Sequence, residues 1–131
     1  MTKESSVNTN WFLQKAAEND WAAFDNRVTE ISNIQAWVDW TNVGMTSEVL
    51  NERDLAISIL EKTKLPFNES NELGLRAVLQ KDENQHLRRK AAISLFVHGK
   101  SDEEIMNLLK DAQKNDGELK EQATLLLSNK P

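Results

Sequence analysis

At 131 residues, 39% of them apolar and 28% charged, the chain has the composition of one globular domain able to bury a real core. It contains no cysteine, which excludes disulfides, thiolate catalysis and zinc–thiolate centres and slightly favours an intracellular home. The net charge of −5 is uneven: residues 1–70 hold 6 basic and 11 acidic side chains and residues 71–131 hold 10 of each, so the first half repels phosphate backbones and nucleic-acid binding is not expected.

Two prolines, four glycines and no tyrosine leave little turn material for a sheet, and the abundant Leu, Ala, Glu, Lys, Gln and Asn suit helices. No apolar run approaches the roughly 20 residues that span a bilayer, and Met1–Asn10 carry no apolar core of a secretory signal, so the expectation is a cytoplasmic protein without membrane contact. Residues 1–8 read as a disordered polar tail and 9–131 as a single helical-repeat domain. Leu13, Ala17, Trp21, Phe24, Val28 and Ile31 then keep one helical phase, which predicts a single long N-terminal helix crossing Asn19-Asp20. Ser32-Asn33 opens the next stripe (Ile34, Trp37, Val38, Thr41), closed by Gly44 as a C′ residue. A helix over about 47–64 turns Val49, Ala56, Ile57 and Leu60 inward and stops at Leu65-Pro66. Ser70 is expected to cap a helix carrying Leu75, Val78 and Leu79; the next carries Leu87, Ala91, Leu95 and Phe96 and closes at Gly99. Ser101 and Glu104 have the spacing of a capping box before Ile105, Leu108, Leu109 and Ala112. After the turn Asn115-Asp116-Gly117, the last stripe is Leu119, Ala123, Leu126 and Leu127.

One segment recurs. Arg53-Asp54-Leu55-Ala56-Ile57-Ser58-Ile59-Leu60 returns as Arg89-Lys90-Ala91-Ala92-Ile93-Ser94-Leu95-Phe96, and more loosely as Glu121-Gln122-Ala123-Thr124-Leu125-Leu126-Leu127. Periods in this range mark stacked repeats, because one helix pair cannot bury its apolar face alone. The expected fold is all-α, with three antiparallel helix pairs at about 33–64, 70–98 and 101–128 behind the N-terminal helix. Leu87-Arg88-Arg89-Lys90-Ala91-Ala92-Ile93-Ser94-Leu95 ahead of Gly99 resembles the second helix of a HEAT-like repeat, and Asp82 stands six residues before Arg88, the spacing of that family's aspartate–arginine ladder. The resemblance implies a right-handed α–α superhelix, a solenoid, and a protein-binding scaffold.

Candidate chemistry is sparse. Glu83 and His86 have the spacing of half a di-iron motif, but the second half is missing, so an exposed helix start explains them better. Trp11, Trp21, Trp37 and Trp40 crowd the first third; Trp21 and Trp37 lie on inward stripes, whereas Trp11 and Trp40 lie off them. Arg88-Arg89-Lys90 is the densest basic patch and reads as a solvated face. No phosphate loop, nucleophile elbow or zinc-protease motif occurs, so no catalytic, cofactor-binding or metal residue is assigned. Stacking would bring Arg53, Arg89 and Glu121 into a row on the second-helix faces, with Trp40 as an exposed anchor. The expectation is a non-enzymatic adaptor or regulatory scaffold that binds an unidentified protein segment, with no cofactor. Two alternatives compete: an enzyme resembling the HEAT-like DNA glycosylases, which would use Trp37, Asp39 and Trp40, and a structural subunit whose Trp-rich end forms a homodimer.

Overall fold

The computed structural model describes residues 9–27, 35–62 and 67–128, and among these every regular element is a helix. There are eight: α1 (Thr9–Ala17), α2 (Trp21–Arg27), α3 (Gln35–Gly44), α4 (Leu50–Lys62), α5 (Glu69–Lys81), α6 (Gln85–Val97), α7 (Glu103–Asn115) and α8 (Lys120–Ser128). The chain is therefore all-α. The expectations for residues 1–8, for Val28, Ile31, Ser32-Asn33 and Ile34, and for the stop at Leu65-Pro66 lie outside the described residues, as do the side chains of Trp37, Val38 and Asp39. The chain divides into two compact units, residues 1–71 and 72–131, with the boundary inside the first turn of α5.

In the first unit the long N-terminal helix is two helices. Asn19 adopts φ 59°, the left-handed conformation that a helix cannot continue through. The Asp20 amide donates to Lys15 O at 2.9 Å and the Asn19 amide to Ala16 O at 3.0 Å, the two bonds of a Schellman C-cap. Asp20 then caps α2, its Oδ1 accepting from the Ala23 amide at 3.2 Å. The break also moves the inward face by one residue. Phe12 and Ala16 are buried with Phe24, Leu55 and Ile59, whereas Ala17 is exposed. Phe12 meets Phe24 edge-on at 5.7 Å, and Trp21 meets Phe24 at 5.6 Å. Asn51 of α4 fastens the turn, its Nδ2 donating to Ala16 O at 2.7 Å and to Asn19 Oδ1 at 3.3 Å.

α3 packs against α4. Gly44 is the last residue of α3 rather than a left-handed C′ residue, and it is buried. A Cβ there would stand 3.0 Å from the Ala56 Cβ and 3.0 Å from the Trp40 ring, so the glycine serves a close helix approach. Val49 lies ahead of α4 and is 53% exposed, contrary to the inward assignment.

The second unit follows the expected stripes more closely. Leu75, Val78 and Leu79 of α5, Leu87, Ala91 and Leu95 of α6, Ile105, Leu109 and Ala112 of α7, and Leu119 and Ala123 are all buried. α6 packs on α7 and α7 on α8, and the short loops between them set neighbours antiparallel. Gly99 closes α6 at φ +87°, with Lys100 N–H on Leu95 O and Gly99 N–H on Phe96 O, both 3.0 Å. The caps sit one or two residues from their expected places. α5 is capped by Asn68, which exchanges reciprocal 2.9 Å bonds with Asn71, so Ser70 is inside the helix. α7 is capped by Asp102, whose Oδ1 accepts from the Ile105 amide at 3.0 Å, and not by Ser101.

Candidate functional site

The strongest polar constellation lies in the second unit, where the start of α6 meets the end of α7. Arg89 projects from the second turn of α6 with its side chain only 13% exposed. Its Nε donates to Asp111 Oδ2 at 2.8 Å and its NH1 lies 3.4 Å from Asp116 Oδ2. The Asp111 hydrogen bond leads the causes that hold the guanidinium charged more firmly than usual. Asp111 in turn falls below the ordinary carboxylate range, first through the Asn115 amide and then through Arg89.

Asp116 ends α7 and is 6% exposed. Its Oδ1 accepts the amides of Glu118 and Leu119, both at 3.2 Å, which fixes the carboxylate and starts the turn into α8. Its Oδ2 faces His86 Nδ1 at 2.8 Å. Burial pushes this carboxyl up, but His86, the Leu119 amide and Arg89 together outweigh burial and hold it below its ordinary value. The other ring nitrogen of His86 lies 3.1 Å from Glu118 Oε1.

A second set of ion pairs joins the middle of α5 to the cap of α7. Arg76 NH1 meets Asp102 Oδ2 at 2.6 Å and Arg76 Nε meets Glu72 at 3.4 Å, while Lys100 reaches Glu72 at 3.4 Å. Arg88 donates to Leu79 O at 2.8 Å and to Gln85 at 2.7 Å, and Asp82 accepts the Asn84 amide at 2.9 Å.

The four residues expected to bind a partner fall in different settings. Trp40 is half-buried and packs on the Phe12–Phe24–Leu55 core, so it is not a free-standing anchor. Arg53, half-buried in the first unit, donates to Ser47 O at 3.1 Å. Arg89 is engaged as described, which makes it part of the framework rather than a solvated face. Glu121 is exposed in the first turn of α8, where it lines an open depression of about 430 Å³ with Gly117, Lys120, Thr124 and Leu125. Trp11 packs against the first-unit core, with Arg27 5.3 Å and Lys15 5.6 Å from its ring centre. Sequence reasoning missed the grouping of His86, Arg89, Asp111, Asp116 and Glu118, whose members stand up to 32 residues apart (118 minus 86) with no local pattern to join them.

No family model, curated protein or solved structure matches the chain.

Proposed function

We propose that the chain is a non-catalytic protein-interaction module whose helix pairs stack as a HEAT-like right-handed superhelix and which receives a segment of a partner protein on its second-helix side. Support for stacking comes from the recurring segment: Leu55, Ala91 and Ala123 occupy equivalent positions and are all fully buried. The observation that carries the binding role is the depression on α8. It combines a leucine that is 57% exposed (Leu125) with the opposite charges of Lys120 and Glu121. An exposed aliphatic side chain beside charges of both signs suits a peptide that buries one aliphatic side chain while its flanks meet those charges.

The internal engagement of Arg89 and the half-burial of Trp40 shift the weight of the interface to Glu121 and Leu125. Affinity capture from the source lysate tests this, with a Glu121→Lys, Leu125→Asp double variant as the control and quantitative mass spectrometry as the readout. Partners retained by the wild-type chain and depleted at least about tenfold by the variant support the α8 face. Equal recovery by both places any binding elsewhere.

A further inference from the structure

We propose that His86, Asp116 and Glu118 form a binding site for a single divalent transition-metal ion, with Zn²⁺ the best match. One donor atom from each residue can be chosen so that all three lie within 4.8 Å of one another. Nδ1 of His86 is 2.8 Å from Asp116 Oδ2, and Nε2 is 3.1 Å from Glu118 Oε1. An ion takes only one ring nitrogen: with Nδ1, beside the fixed Asp116 Oδ2, as the donor, tetrahedral bonds of about 2.0–2.2 Å set donors roughly 3.3–3.5 Å apart, and the Glu118 carboxylate has to leave Nε2 and swing to the Nδ1 side of the ring.

Three further observations favour a cation here. The first is preorganisation: the buried Asp116 carboxylate has Oδ1 fixed by the Glu118 and Leu119 amides, so Oδ2 is held toward the imidazole. The second is local charge. Asp111, Asp116 and Glu118 supply three negative charges against two from Arg89 and from Arg88, whose charge also acts on Asp111, so a neutral imidazole, the form that ligates a metal, leaves an excess of one. That excess favours a cation over an anion or a neutral ligand. The third is access: Glu118 is 81% exposed, so it stands at the mouth of the site and has room to close onto an ion entering from solvent.

The donor set selects the class of metal. An imidazole beside two carboxylates suits zinc, cobalt, nickel or copper, whereas magnesium and calcium prefer oxygen alone. Three protein donors leave a coordination position for water. The ion would tie the first turn of α6 to the α7–α8 turn, beside Gly117 at the edge of the α8 depression. The proposal does not depend on that depression binding a partner, and its test uses none.

The experiment is calorimetric titration of the full chain, stripped of metal by a chelator, with Zn²⁺ near neutral pH and with Mg²⁺ in parallel. The expected result is one Zn²⁺ per chain and no Mg²⁺ binding. His86→Gln and Glu118→Gln should each weaken Zn²⁺ binding by about tenfold or more, while His98→Gln, which changes the other histidine, leaves it intact. Circular dichroism checks that each variant is folded; should His86→Gln unfold, Glu118→Gln and the imidazole resonances of the wild-type chain decide. Absence of stoichiometric Zn²⁺ binding, full affinity in either variant, or loss only in His98→Gln would overturn the site.

Discussion

At the residue scale, small side chains carry consequences that their size hides. Ser94 is fully buried and its hydroxyl has no hydrogen-bond partner, whereas its repeat equivalent Ser58 donates to Asp54 at 3.2 Å. The sequence explains the difference: Lys90 stands where the first copy has Asp54, so the acceptor one turn earlier is lost. Ser94→Ala is therefore expected to raise stability by about 1 kcal/mol, and Ser58→Ala to lower it by a similar amount. Paired thermal melts check the opposite signs. Gly44 gives a second contrast. Gly44→Leu should cost about 1–3 kcal/mol because Ala56 and Trp40 already fill the space, while Gly117→Ala, with no neighbour within 4 Å, should change little.

Asp102 does two jobs, capping α7 and pairing with Arg76. Its carboxyl is held below the ordinary value of 3.8, mainly by the Ile105 amide and then, against the opposing effect of burial, by Arg76. A depressed folded-state value means that the stabilisation is complete well above 3.8 and is lost as pH falls through that lower folded value. Asp102→Ala should cost about 1 kcal/mol at neutral pH through the lost cap. Asp102→Asn keeps the cap and loses only the ion pair. Melts across pH should show the wild-type advantage over Asp102→Asn vanishing in acid and returning on neutralisation.

At the element scale, Asn19-Asp20 shows how a stop and a start can hide inside an unbroken apolar phase. Trp11, Phe12 and Leu13 are consecutive, as are Ala16 and Ala17, so two stripes one residue apart read equally well. The left-handed Asn19 and the Asp20 cap settle the choice, and α1 and α2 each place their own residues against Leu55 and Ile59. Asn19→Gly should be tolerated, whereas Asn19→Val should cost about 1 kcal/mol or more because a branched side chain resists that conformation. Trp40→Ala should destabilise by about 2–3 kcal/mol, less than full burial would give. A melting temperature equal to the parent's would return Trp40 to the surface role first expected of it.

The helices of the second unit were legible because each carries one clear stripe bounded by glycine, asparagine or aspartate, as with Leu87, Ala91, Leu95 and Gly99. Cap identity was less so. Ser101 and Asp102 are adjacent and both are good caps, and only the φ/ψ of the turn decides between them. The His86–Asp116–Glu118 grouping was not legible at all. Comparing equivalent positions of successive repeats pairs Arg89 with Arg53 and Glu121, whereas its carboxylate partners come from α7 and the turn after it.

At the scale of the whole molecule, charge and surface shape bound what the chain can recognise. With a net charge of −5 there is no general cationic field to release counterions from a nucleic acid. A mobility assay at low-micromolar protein and physiological salt is expected to show no DNA or RNA shift, and a salt-sensitive shift would favour the glycosylase-like alternative. Among the described residues no helix is long and apolar enough to cross a membrane. The α8 depression, with Leu125 exposed beside Lys120 and Glu121, is the feature on which the proposed interaction role rests. The most direct measurement is site-specific photo-crosslinking in the source cells, with the reactive side chain placed at Thr124 in the depression and, for comparison, at the exposed Lys110 of α7. A discrete protein adduct formed from position 124, absent from position 110 and abolished by Leu125→Asp, is the expected result. No adduct from position 124, or the same adducts from both positions, would contradict a partner-binding face on α8.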